Sequence, residues 1–302
     1  MIRVIYNPAA GPRAVNRISR AKEILSEAGI SFEVRETTGP GDALLLSREA
    51  AHERFSTVLA VGGDGTINEA ANGLAGSATR LAVLPHGTGN VFADEVGLPE
   101  TVEGCLALLS GGETVEVRLA KAGDRFFLLV ASAGFDAEVL ERMNSRQKNL
   151  LGIGAYYLAG ARHLLREQPT LWMEFPDKER VEAQAVLVLR GRMYGGGVTM
   201  APEGSLLKDT LHVVALRRTG RWPIVRFALS AFRGTHLSSP DVLCREVDTV
   251  LVRCRVPSAA QVDGDYLGPL PVRVGMTGVT LRIVVPPSYL KTQNGKIPAS
   301  SI

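Results

Sequence analysis

The sequence predicts an N-terminal α/β domain built on a parallel sheet, followed by a larger β-sandwich domain. Three observations carry this prediction. Over roughly the first 120 residues, short apolar runs alternate with helix-period patterns, which requires crossovers and a parallel sheet covered by helices. From Val115 onward the helical patterns thin out and short strand-like runs follow one another. Gly and Pro stand between those runs, as they do between the strands of a sandwich. The expected domains are 1–122 and 123–286, with the tail from about 287 to 302 expected to be loose or to pack back on the first.

Taken in order, Arg3–Tyr6 is the first strand. Val15, Ile18, Ala21, Leu25 and Ala28 then recur at helical spacing, and Gly29 is a stop signal. Ser31–Glu36 alternates as a strand, Asp42–Phe55 reads as a helix, and Thr57–Val61 is a buried strand ending in Gly-Gly. A helix over Thr66–Leu74 follows, with Thr66 and Glu69 spaced as a capping box. Arg80–Leu84 is a further buried strand, closed by Pro85. In the second part, Glu113–Ala133 holds two strand-like runs and Tyr156–Leu165 a helical patch. Strands are then expected over Thr170–Phe175, Val181–Leu189, Thr210–Leu216, Val247–Val256, Val272–Val274 and Val279–Val285.

The bulk numbers exclude several classes. A net charge of +3, from 34 basic and 31 acidic residues, is too mild for a nucleic-acid binder, though it suits anionic small molecules or a membrane surface. Cys105, Cys244 and Cys254 form no metal spacing, and an odd count points to a reducing compartment. MIRVIYNP lacks the basic start and apolar run of a signal peptide, and no stretch is long enough to span a bilayer. The expected setting is the cytoplasm, with any membrane contact peripheral at its inner face; oligomeric state stays open.

The chemistry gathers at the strand ends. Gly62-Gly63-Asp64-Gly65-Thr66 follows a buried strand and opens a helix, where an open α/β sheet binds ligands. Glycines let the backbone approach a phosphate, and a helix N-terminus favours an anion. Asp64 in such a turn suits a divalent metal or a proton transfer rather than phosphate itself. A solvated Asp in a capped turn would read the same locally. However, His86-Gly87-Thr88-Gly89-Asn90, Asn7-Pro8-Ala9-Ala10-Gly11 and Thr37-Thr38-Gly39-Pro40-Gly41-Asp42 are three more polar, Gly-bearing turns at strand ends. Four such turns together favour a binding site.

These residues resemble the diacylglycerol/sphingosine lipid kinase family. The match runs through Asn7-Pro8 with Gly11, Thr38–Ala43, Gly62–Glu69 and Pro85–Pro99. It continues through Ser132–Ala137, Leu151-Gly152 with Tyr156, Gly195–Pro202 and Val262-Asp263-Gly264-Asp265, and so spans nearly the whole chain. The first Gly-rich motif is shared with phosphofructokinases and NAD kinases, whereas the combination is much more specific.

The resemblance implies a nucleotide-binding α/β domain and a β-sandwich domain, with ATP and a lipid meeting in a cleft. Asn7, Gly11, Thr38, Gly62, Gly63, Gly65, Thr66, Asn68, Glu69, Gly87 and Thr88 would line the ATP site. Asp64 would lie near the phosphates and Mg2+, and Asp265 matches the family's general base. Phosphoryl transfer needs an aligned hydroxyl, a metal and a proton acceptor, so two such carboxylates fit. The family has Glu where Asp265 stands, one methylene longer, about 1.5 Å more reach. Read without the resemblance, Asp263-Gly264 is a hairpin turn signal. Val91 stands where many relatives have Asp, and only Asp209 remains of the pattern with which some members hold a structural metal.

Arg217, Arg218, Arg221, Trp222, Arg226 and Arg233 interleave with Ile224, Val225, Phe227, Leu229 and Phe232. A basic helix with aromatics reads as an interfacial element or as a helix packed on the β domain. The expected activity is transfer of the γ-phosphate of ATP to a lipid hydroxyl, diacylglycerol-like or sphingoid-like, on a substrate taken from a membrane. The alternatives are an NAD-kinase-like activity on a soluble nucleotide and an ATP-binding regulator without turnover.

Overall fold

The computed structural model describes residues 1–8, 12–87, 89–142, 159–160, 162–164, 166 and 169–293. The chain divides into two compact units, Met1–Arg118 with the chain from Val279 onward, and Leu119–Gly278.

In the first unit β1 (Ile2–Tyr6), α1 (Pro12–Glu27), β2 (Phe32–Glu36), α2 (Asp42–His52), β3 (Thr57–Gly62), α3 (Asp64–Leu74), β4 (Arg80–Pro85), α4 (Val91–Val96) and α5 (Val102–Gly111) follow in order. The strands pair in parallel as β2-β1-β3-β4, so all four C-terminal ends share one edge. Ile2, Val4 and Tyr6 face Ile18, Ala21 and Leu25 of α1 and Cys105 and Leu106 of α5. On the other face, the buried Arg3 reaches the Leu46 carbonyl of α2 and pairs with Glu33 and Glu53 at 2.8 and 2.7 Å. Helices α2 and α3 pack closely because Gly73 has no side chain; a Cβ there would lie 2.3 Å from the Leu44 carbonyl oxygen.

The chain then continues through β5 (Glu113–Ala122), β6 (Arg125–Phe127), β7 (Val130–Gly134), α6 (Phe135–Arg142), β8 (Leu171–Glu174), β9 (Arg180–Ala183), β10 (Ala185–Leu189), β11 (Met193–Tyr194), β12 (Val198–Thr199) and β13 (Leu211–Leu216). After α7 (Arg221–Phe232) come β14 (Val242–Val247), β15 (Thr249–Cys254), β16 (Ala259–Val262), β17 (Asp265–Pro269), β18 (Val272–Val285) and α8 (Pro287–Gln293). One antiparallel sheet runs β14-β13-β10-β7-β16-β17. Its inward residues, among them Ala131, Val188, Val213 and Val262, share a core with Met173 of β8, Val250 of β15 and Val274 of β18. That two-layer core makes the second unit a sandwich. Beyond it, the end of β18 pairs in parallel with β4 through Arg282 and Ile283 in the first unit.

The two runs read over Glu113–Ala133 are three strands, β5, β6 and β7, and four further element expectations change. The strand read over Val181–Leu189 is two strands, because the chain changes sheets at the buried Gln184: β9 pairs with β8, and β10 with β7 and β13. Val247 ends β14 and Thr249 opens β15, again in different sheets. The runs at Val272 and Val279 are one strand of 14 residues, bridged by small residues at Gly275 and Gly278. Finally, α3 begins at Asp64 rather than Thr66. The helix read over 156–165 lies mostly outside the described residues.

Candidate functional site

The parallel ladder of the first unit extends into the turns that follow it. The Asn7 amide donates to the Val61 carbonyl at 3.3 Å, Thr37 to Tyr6 at 3.0 Å and His86 to Gly62 at 2.7 Å. Asn7, Thr37-Thr38, Gly63 and Gly87 are therefore gathered at one sheet edge. Two of these turns touch through their backbones. A Cβ built on Gly87 would lie 2.9 Å from Gly63 Cα, and one on Gly63 would lie 3.4 Å from Gly87 Cα. Asn90, at φ 46, holds the second turn by accepting the Gly87 amide at 2.7 Å and donating to its carbonyl at 2.9 Å. Gly62 is required for a different reason: a Cβ there would meet the Thr66 side chain at 2.7 Å.

Asp64 opens α3, and its Oδ1 accepts the Phe92 amide in the first turn of α4 at 3.2 Å. No side chain of α4's own N-cap does this, so Asp64 caps a second helix from outside it. Its Oδ2 lies where a Cβ on Gly89 would come within 3.0 Å. Burial, and then the Asp64 charge, push the neighbouring Asp94 carboxyl upward. The N-cap of α3 is Gly63, which has no side chain to cap it.

The Thr38 turn is held by Asp42, whose Oδ2 accepts the Thr38 hydroxyl and amide at 2.7 Å each and the Gly39 amide at 3.0 Å. These bonds, the Thr38 hydroxyl foremost, keep the Asp42 carboxyl below the usual range. Glu69 overturns the expected capping box. Because α3 starts two residues early, Thr66 lies inside it, and Glu69 instead accepts the Gly41 and Ala43 amides at 2.8 and 3.2 Å where α2 begins. Asn68 is buried, with Oδ1 accepting from Asn72 at 3.1 Å. Gly65 is the second residue of α3. Gly11 and Thr88 lie outside the described residues.

In the second unit, Asp263 and Gly264 form the turn between β16 and β17, both at positive φ, as the Asp-Gly pair predicts. The two carboxylates of this turn do different things. Asp263 Oδ2 accepts the Leu128 amide at 2.7 Å, and Oδ1 accepts those of Leu129 and Val130 at 3.0 and 2.9 Å. Asp265, 35% exposed, meets Arg125 Nη2 at 2.8 Å. Gln261 links the turn to the interior. Its Oε1 accepts the Gly264 amide at 2.8 Å, and its Nε2 donates to Ser132 Oγ at 2.8 Å and Asp136 Oδ2 at 3.0 Å. The Ser132 and Tyr194 hydroxyls also donate to Asp136. Burial pushes the Asp136 carboxyl up, while its three donors pull it down. Gly134 turns β7 into α6 at φ +86, and a Cβ there would sit 2.5 Å from the Gln184 carbonyl oxygen.

Sequence reasoning did not single out Arg125, Gln261 or Tyr194 as site residues. The only local signal was the four-residue spacing of Ser132 and Asp136. Asp209 is exposed on the loop before β13. Among the described residues no three His, Cys, Asp or Glu side chains gather as a metal set.

Two family models cover the chain. The diacylglycerol kinase catalytic domain matches residues 1–122, and the YegS C-terminal NAD kinase beta sandwich-like domain matches residues 129–285. A diacylglycerol kinase of Bacillus subtilis is 31% identical over 275 residues, covering 89% of this chain and 91% of that protein. The chain belongs to the diacylglycerol kinase family. This is a family of phosphotransferases with an alcohol group as acceptor. Another member, from Staphylococcus aureus, is 29% identical over 275 residues, covering 89% of this chain and 87% of its own. A crystal structure of a diacylglycerol kinase from Bacillus anthracis superposes with a TM-score of 0.73 at 23% identity, covering 95% of this chain and 97% of that one. A second structure from that organism gives 0.77 at 22% identity, covering 95% and 96%. At such identity the two structures speak for the fold of this diacylglycerol kinase family member.

Proposed function

We propose that the protein is an ATP-dependent lipid kinase that transfers the γ-phosphate to a hydroxyl of a diacylglycerol-like or sphingoid-like lipid. The observation that carries the nucleotide half is the backbone contact between Gly63 and Gly87, with Asp64 beside it at the sheet edge. Two side-chain-free turns let phosphate oxygens approach backbone amides, and the uncapped start of α3 adds a positive dipole end. Mg2+ commonly takes one or two carboxylates together with substrate phosphates, and Asp64 at the sheet edge would offer one. When bound, Mg2+ neutralises charge on the transferred phosphoryl group. Asn7, Thr38 and Thr66 contribute polar groups around the nucleotide, and Asp265 takes the proton of the acceptor hydroxyl. Arg125 holds the Asp265 carboxylate in place.

The test is transfer of labelled γ-phosphate from ATP to a panel of lipids in mixed micelles, with NAD as a soluble acceptor in parallel. Label on one lipid class, lost in Asp64→Ala and Asp265→Ala, is the expected result. Label on NAD alone, or ATP binding with no labelled acceptor, would replace this reading.

A further inference from the structure

Helix α7 has two faces, and packing within its unit accounts for one of them. Ile224 and Ala231 are buried, and Phe227 packs against the cluster of Leu189, Met200 and Val214. His236 stands edge-on to Phe227 at 6.0 Å and bonds the Met200 carbonyl at 2.8 Å, which fixes the end of the helix. The other face carries exposed apolar side chains as well. Trp222 is 70% exposed and Leu229 49%. At about 100° per residue, these two and Val225 fall in an arc of roughly 60°. Arg226 and Arg233 border the arc on one side and Arg221 on the other, and the helix RWPIVRFALSAF carries no acid. None of these three arginines forms an ion pair among the described residues.

We propose that this face of α7 docks the protein on an anionic lipid surface, with Trp222 and Leu229 entering the headgroup boundary and Arg221, Arg226 and Arg233 meeting lipid phosphates. An in-plane helix with a large aromatic, a short apolar strip and flanking cations has the make-up of an interfacial anchor. A protein partner fits less well, since a stable interface engages about 20–30 residues a side and this strip offers three apolar side chains. Trp is also suited to the boundary, with an apolar ring and a polar N–H. The proposal deepens the lipid-kinase reading and rests on it for its purpose, but binding is read without turnover, so the two can fail separately.

The test is co-sedimentation with vesicles of phosphatidylcholine alone and of phosphatidylcholine with phosphatidylglycerol. The wild type should bind the anionic vesicles and not the neutral ones. Arg226→Glu with Arg233→Glu should weaken binding at least tenfold, since each arginine near an anionic surface contributes roughly fivefold. Trp222→Ala should weaken it similarly. With Trp172→Phe, Trp222 is the sole tryptophan of the two, and its emission should shift to the blue on adding anionic vesicles. Phosphate transfer to a monomeric short-chain acceptor should be unchanged in the α7 variants, while KM for vesicle-borne lipid rises. No binding by the wild type, equal binding by the charge-reversed variant, or an unshifted Trp222 emission would overturn the proposal. A concentration-dependent dimer abolished by Trp222→Ala would also overturn it, assigning the face to a second copy. If anionic vesicles bind through α7 but no lipid is phosphorylated, the docking stands and the kinase reading falls.

Discussion

Arg125 grips Asp265 through one guanidinium nitrogen at 2.8 Å, although 140 positions separate them in the chain. The pair is partly exposed, so it contributes little to stability. In the proposed lipid kinase its value is to orient the Asp265 carboxylate. Arg125→Ala should therefore leave the unfolding midpoint nearly unchanged and lower kcat about tenfold through misplacement of the carboxylate. Arg125→Lys should recover part of the loss. Steady-state kinetics with equilibrium nucleotide binding checks both, and unchanged kcat in Arg125→Ala would remove Arg125 from the site.

The two carboxylates of the Asp263-Gly264-Asp265 turn should separate cleanly. Asp263 satisfies three amides, and Asp263→Ala leaves them to find other partners at a cost of about 2–3 kcal/mol. Asp265→Asn should instead keep the wild-type stability and abolish phosphate transfer. Urea unfolding of both variants, beside labelled transfer, distinguishes them.

Glu69 and Thr66 offer a second contrast. Glu69→Ala removes the acceptor for the Gly41 and Ala43 amides where α2 begins, and should cost about 1 kcal/mol, as loss of a helix cap does. Thr66→Ala should be near neutral in stability, because Thr66 caps nothing, and should show its effect in ATP affinity. A Thr66 variant that destabilises as a cap variant does would contradict the observed helix start.

Gly87→Ala introduces a Cβ 2.9 Å from Gly63 Cα, so one of the two turns must move. The expected outcome is a folded protein with ATP affinity lowered at least tenfold, measured by calorimetry. Gly41→Ala tests a different cost: nothing lies within 4 Å of the new Cβ, but φ is +90. That substitution should cost roughly 1 kcal/mol in stability from the left-handed backbone alone.

Asp136 makes stability depend on pH. Burial raises its carboxyl above the ordinary 3.8, so the folded protein holds that proton more tightly than the unfolded chain. The resulting stabilisation is complete below 3.8 and disappears as pH rises through the raised value. Asp136→Asn, neutral throughout, should flatten that part of the stability curve between acid and neutral pH. Thermal melts across that range would show it, and parallel curves for the two proteins would refute it.

The alternation of strand and helix in the first unit, the Gly-bearing turns at its strand ends and the Asp-Gly hairpin were all legible in the sequence. Each depends on periodicity or turn chemistry within a few residues, which a single chain displays directly. The sheet assignments around Gln184 and Asp248 were not legible, because an apolar strand reads the same whichever sheet takes it. Nor were the roles of Glu69 and Asp263 within their motifs. Glu69 bonds amides 26 and 28 positions away, and Asp263 bonds amides 133 to 135 positions away. A hydrogen bond depends on distance and angle in space, and residues so far apart meet only once the sheets are paired. Local sequence thus determined which residue types stand at the turns, and tertiary structure decided which carboxylates brace the backbone and which remain exposed enough for chemistry.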